Sequence, residues 1–99
     1  MDTKLTENGN EAIISITGSI DTRSARQAES LFLEAAETHE RVTLDMTEVT
    51  YVSSAGIRVL RKLYMKLYRK DGSMAMEGLS ENVLSVLKMT GLMDLVTLN

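Results

Sequence analysis

With 99 residues, 43% of them apolar, no cysteine and a formal charge of −3, the chain reads as one compact domain over residues 1–99 that buries something under two-thirds of its unfolded surface. The lack of cysteine excludes a disulfide framework and a thiolate metal site and suits a reducing compartment. A polar start, Met1-Asp2-Thr3-Lys4, and the absence of any membrane-length apolar run give the expectation of a soluble, cytoplasmic protein with no membrane insertion.

In chain order, Lys4 to Asn8 leads into Gly9-Asn10, a pair with hairpin-turn chemistry, and Glu11 to Ile20 reads as a strand centred on Ile13-Ile14-Ser15-Ile16. Ser24 and Gln27 have the spacing of a capping box. They predict a helix whose apolar stripe is Ala25, Ala28, Leu31, Phe32, Ala35 and Ala36 and which ends near Thr38-His39. The sole histidine therefore falls at a helix C-terminus, which suits a partial positive charge, and no second His or Cys points it to a metal.

Val42, Leu44 and Met46 alternate as in a strand with one buried face, whereas Ile57, Leu60, Leu63, Tyr64, Leu67 and Tyr68 recur at helical spacing up to Lys70. Between them a polar turn is predicted, with Ser53 or Ser54 at the helix N-terminus, because a small hydroxyl residue there accepts an unpaired backbone N–H. The same unpaired groups and the positive end of the helix dipole favour an anion, so a phosphate on Ser54 is compatible with the fold. Read as local structure alone, the two serines are simply caps.

Asp71-Gly72 marks a turn, with Gly72 as the helix stop. Ser73 to Leu79 reads as a strand, Ser80 as the cap of a helix ending at Gly91, and Leu92 to Leu98 as a closing strand. Of the seven methionines, those after Met1 fall largely at core positions. No repeat, low-complexity tract or linker is present.

The run from Leu44 to Leu60, LDMTEVTYVSSAGIRVL, resembles the signature of the bacterial anti-sigma factor antagonists, the small STAS-domain proteins. That signature is a hydrophobic strand ending in Asp, a short turn with an aromatic, then Asp or Ser, a phosphorylatable Ser, a small residue, Gly and Leu or Ile. Gly18-Ser19-Ile20-Asp21 is similar to the family's Gly-x-Leu-Asp element, and Gly78 to Leu95 resembles its C-terminal half. The resemblance implies an α/β fold of the STAS type, a mixed sheet of about five strands packed with about three helices. It also places the phosphoacceptor at Ser54, with Ser53, where many members carry Asp, as the second choice. Many relatives continue into a further helix, and surface left uncovered by its absence is a candidate for partner or dimer contact.

Arg58, Arg61, Lys62, Lys66, Arg69 and Lys70 put six cations on one helix, leaving five Lys or Arg against fourteen Asp or Glu elsewhere. Their arrangement fits a solvated outer face or a docking surface beside Ser54; the acidic remainder argues against nucleic acid. An enzyme needs a nucleophile, base and electrophile, and the chain has no Gly-rich phosphate loop, no paired-histidine metal spacing and no Ser-His-Asp set. Asp45 lacks the acids and the lysine that a phosphoaccepting aspartate requires.

The resemblance thus implies a binding switch rather than an enzyme, with no cofactor and no metal. Unphosphorylated, it would hold an anti-sigma factor that is also a serine kinase and so free a sigma factor; phosphorylation of Ser54 would release it and a serine phosphatase would reset it. Asp21, Ser53, Ser54, Ala55, Gly56, Arg58 and Lys62 are the candidate partner-binding residues, Gly56 as a point of close approach for the kinase backbone. The protein is expected to be a monomer or weak homodimer. The alternative is a STAS subunit that regulates a membrane transporter's ATPase without phosphorylation.

Overall fold

The computed structural model describes residues 1–98. Five strands, β1 (Asp2–Asn8), β2 (Glu11–Ile20), β3 (Arg41–Val52), β4 (Ser73–Glu77) and β5 (Thr97–Leu98), form one sheet in sequence order. β1 is antiparallel to β2, and the other pairings are parallel. The parallel crossovers are made by α1 (Ala25–Thr38), α2 (Ser54–Arg69) and α3 (Glu81–Thr90). This is the mixed α/β arrangement the sequence led us to expect.

Hairpin β1–β2 turns through Gly9, whose φ of 63° is a left-handed conformation that costs glycine little. On one face of the sheet, Ala12, Ile14 and Ile16 of β2, Val42, Leu44 and Met46 of β3, and Met74 and Met76 of β4 make a single apolar cluster with the helices. α1 contributes Ala28, Phe32, Ala35 and Ala36; α2 contributes Ile57, Val59, Leu60, Leu63 and Leu67; α3 contributes Val83 and Leu87. Burying each large member stabilises the fold by about 1.5–3 kcal/mol. Met46, Met74 and Met76 are core residues as expected, but Met65 and Met89 are exposed. Tyr68, assigned to the apolar face of α2, is also exposed and stacks on Tyr64 with ring centres 5.8 Å apart.

The largest departure lies in β3, which runs through the predicted polar turn to Val52. Its partner β2 continues alongside to Ile20, and the register shifts twice, between Ser15 and Thr17 and between Gly18 and Ser19. Each shift inserts one residue into β3 as a bulge. Buried positions therefore pass from every second residue (Val42, Leu44, Met46) to every third (Val49, Val52), which conceals the strand's period of two.

Asp45 lies at the first bulge, not at a strand end. Its Oδ1 accepts the Thr47 hydroxyl (2.6 Å) and the Thr47 N–H (3.1 Å), and its Oδ2 accepts the Ser15 hydroxyl at 3.5 Å. The Thr47 hydroxyl, then the Thr47 N–H and the Ser15 hydroxyl, hold the Asp45 carboxyl below its usual range, against partial desolvation. A carboxyl with a depressed folded-state pKa adds stability that is complete above the unfolded pKa and disappears as pH falls through the folded one. Acid melts should therefore show Tm falling less steeply for Asp45→Asn than for the parent below about pH 4; parallel curves would remove Asp45 from the acid response.

Other boundaries differ for local reasons. β4 stops at Glu77, before Gly78 at φ 72°. The predicted closing strand is instead a 3₁₀ turn over Leu92–Asp94, with Leu92 buried in the core, followed by the two-residue β5. α3 is capped as read: the Ser80 hydroxyl accepts the Val83 N–H at 3.2 Å, and Gly91 ends the helix at φ 78°. α2 closes with Asp71, not Gly72, in the left-handed position (φ 61°). The Gly72 N–H then donates to the Leu67 carbonyl at 2.7 Å and the Asp71 N–H to the Tyr68 carbonyl at 3.1 Å.

Candidate functional site

The end of β2 and the start of α2 are joined through one carbonyl. Ile20 O accepts the Ser53 N–H at 2.9 Å, fixing where β3 gives way to α2. Ser53 is extended (φ −84°, ψ 175°) and its hydroxyl accepts the Gly56 N–H at 3.2 Å, which makes it the N-cap. Ser54 is the first helical residue. It is exposed, and among the described residues its hydroxyl has no hydrogen-bond partner. No acidic residue occupies the first turn of α2, so the positive end of its dipole is not offset locally.

Ala55 is half-buried and Gly56 fully buried. A Cβ at Gly56 would run into the Ile20 carbonyl oxygen and lie 2.9 Å from a Val52 methyl. Gly56 thus lets α2 sit directly on the end of β2, and its smallness serves this internal packing.

Asp21 follows Ile20 and is engaged by the residues that come after it. Its Oδ1 accepts the N–H groups of Arg23 (3.0 Å) and Ser24 (3.1 Å) and the Ser24 hydroxyl at 3.2 Å. The Ser24 and Arg23 backbone N–H groups, helped by the Ser24 hydroxyl and the Arg23 charge, hold its carboxyl below the usual range. No hydrogen bond joins Asp21 to Ser54 among the described residues; Asp21 caps the turn that opens α1. The capping box read at Ser24 and Gln27 is absent, because the Ser24 hydroxyl points backwards and donates to the Ser19 carbonyl at 2.9 Å.

The basic face of α2 is largely engaged within the fold. Lys62 pairs with Glu29 at 2.8 Å and Lys66 with Glu37 at 3.1 Å, both on α1. Lys70 Nζ donates to the carbonyls of Ala36, Glu37 and His39, where its charge suits the C-terminus of α1. Arg61 donates to the Thr90 carbonyl at the end of α3 at 3.0 Å. Arg58 is exposed beside the site, one turn after Ser54.

Tyr51, half exposed just before the cap, belongs to the rim as well. The sequence offers it as the aromatic of the motif, without marking it as surface. His39 is structural: it is buried at the end of α1, with Nε2 3.1 Å from Glu7 and Nδ1 3.1 Å from the Ala35 carbonyl.

A sheet of this order carrying a capped serine pair at the β3–α2 junction defines a class, and the family model of the STAS domain matches residues 2–99. The chain belongs to the STAS domain family. It is 27% identical over 93 residues to the anti-sigma-B factor antagonist of Bacillus subtilis strain 168, covering 94% of this chain and 85% of that protein. It superposes on the crystal structure of a putative anti-sigma factor antagonist from Thermotoga maritima with a TM-score of 0.90 at 15% identity, over 97% of this chain and 84% of that one. The Bacillus cell fate determinant SpoIIAA in its phosphorylated form superposes with a TM-score of 0.79 at 14% identity, over 99% and 91% of the two chains.

Proposed function

We propose that this chain is an anti-sigma factor antagonist controlled by phosphorylation of Ser54. The observation that carries the reading is the division of labour between the two serines. Ser53 is half-buried and its hydroxyl is committed to the Gly56 N–H, while Ser54 is exposed with an unengaged hydroxyl at an open helix N-terminus. A kinase needs the second kind of serine.

In this reading the unphosphorylated end of α2, with Tyr51, Ser53, Ser54, Ala55 and Arg58 at the surface, docks on an anti-sigma factor, and a sigma factor is released. The anti-sigma factor is also the kinase: it transfers the γ-phosphoryl group of ATP to Ser54 Oγ, with loss of the hydroxyl proton and formation of ADP. The new group brings about −1.5 to −2 charges and three acceptor oxygens. The first-turn N–H groups tolerate that charge, so the fold stands while the docking surface changes sign. A serine phosphatase hydrolyses the ester and resets the switch. The chain itself supplies the surface and the acceptor and acts in the cytoplasm as a binding protein, monomeric or weakly dimeric, over a single domain; no helix among the described residues is long and apolar enough to cross a membrane. The naming of the B. subtilis relative favours this reading over a transporter subunit.

The test is the intact mass of the protein from its native host, with and without serine phosphatase, followed by fragmentation across Thr50 to Arg61. One phosphatase-sensitive phosphate on Ser54 is expected. Phosphate on Ser53 would reassign the acceptor, and none under any growth condition would overturn the switch.

A further inference from the structure

The cation pattern of α2 is only partly explained by the fold. Lys62 and Lys66 are offset by Glu29 and Glu37. Arg61 donates to a neutral carbonyl, which leaves its charge uncancelled, and Arg58 and Arg69 have no acidic partner among the described residues. Lys70 also has only carbonyl partners, and they hold it at the C-terminus of α1; the three arginines have planar forks that match carboxylates in a bidentate way and shed water more readily than ammonium groups. They line a groove whose apolar part is Met65 of α2 and Leu33 of α1, and Met65 is 38% exposed.

Their angular order is regular. At about 100° per residue, Met65 and Arg69 lie within about 20° of the line through Arg58, with Arg61 and Lys62 about 60° and 40° to either side. The result is a stripe in which cation, apolar residue and cation follow one another along about 16 Å, three helical turns. A seam of i, i+7 and i+11 positions is what a second helix meets when it packs lengthwise.

We propose that the Arg58–Arg69 face of α2 docks an acidic amphipathic helix of a partner protein, with an apolar residue of that helix against Met65 and Leu33 and its carboxylates on the three arginines. Charge complementarity selects this occupant. The remainder of the chain has five Lys or Arg against fourteen Asp or Glu, which repels a polyphosphate or an anionic membrane beyond the stripe, and the apolar centre offers phosphates nothing. The groove runs from about 6 Å to about 22 Å along α2 from Ser54, and the proposal does not depend on phosphorylation.

The experiment measures fluorescence anisotropy of a labelled peptide of about 18 residues, long enough to hold a helix, with Leu along one face and Glu flanking it. A matched peptide carries Gln in place of Glu. The acidic peptide should bind the parent protein, bind about tenfold more weakly to Arg69→Glu and to Met65→Ser, and weaken with added salt. Both substitutions lie at exposed positions, and unchanged Tm values would show that the fold is kept. Equal binding of the Gln peptide, equal binding by both variants, or no binding at all would overturn the proposal. So would arginine-dependent binding of oligo(dT) or of phosphatidylglycerol vesicles in place of the peptide. The assay contains no kinase and no phosphate, so its failure would leave the Ser54 switch standing, and failure of the switch would leave the groove standing.

Discussion

Ser54→Asp should bind the anti-sigma factor about 10- to 100-fold more weakly than the parent protein, and Ser54→Ala should bind it within about twofold. Each tenfold loss corresponds to about 1.4 kcal/mol. A carboxylate brings one charge where a phosphoserine brings up to two, so the Asp variant sets the lower bound of the switch. Ser54 is exposed and its hydroxyl makes no hydrogen bond among the described residues, so neither substitution should move the fold, and equal Tm values would verify that. Ser53 provides the contrast. Replacing it with Ala removes the oxygen that accepts the Gly56 N–H at 3.2 Å and should cost about 1 kcal/mol of stability, leaving phosphorylation of Ser54 in place. Titration calorimetry against the kinase, with thermal melts of each variant, separates these effects. Parent-like affinity in Ser54→Asp would sink the switch.

How far the sequence could be read follows from which signals were local. The β2 boundaries, the α1 span and the Ser80 and Gly91 caps of α3 rest on short-range chemistry, namely alternation, apolar spacing and hydroxyl or glycine at a helix end, and each was legible. β3 was not, because its two bulges are imposed by the partner strand and change the spacing of buried residues from two to three. The capping box failed for a similar reason: Ser19 and Asp21, placed by the end of β2, compete for the Ser24 hydroxyl. The basic helix read as one uniform face. Only the packing of α1 and α3 beside it divides that face into cations that tie helices together (Lys62, Lys66, Lys70, Arg61) and cations left to solvent (Arg58, Arg69). At the candidate site the sequence placed Ser54 and Ser53 side by side but could not assign their hydroxyls. That assignment depends on which N–H groups the first turn of α2 presents.

Gly56→Ala should lower Tm by about 10 °C, even though alanine inside a helix is ordinarily about 1 kcal/mol better than glycine. The added methyl would meet the Ile20 carbonyl oxygen, with a Val52 methyl at 2.9 Å and an Ile20 methyl at 3.1 Å. The carbonyl cannot retreat alone, since it also accepts the Ser53 N–H at 2.9 Å. Relief requires the first turn of α2 to lift off β2, and overpacking of this kind costs about 1–3 kcal/mol. Removing only the methyl contact, as in Gly56→Ala with Val52→Ala, should not restore Tm, because the backbone clash persists. The same displacement would carry Ser54 with it, so the rate of Ser54 phosphorylation should fall together with stability. Were Gly56 needed only for close approach of the kinase, the alanine variant would keep its Tm and lose phosphorylation alone; a Tm equal to or above the parent's would therefore refute the packing account. The buried location of Gly56 makes the joint loss the expected result, and it links the position of the acceptor serine to one carbonyl at the end of β2.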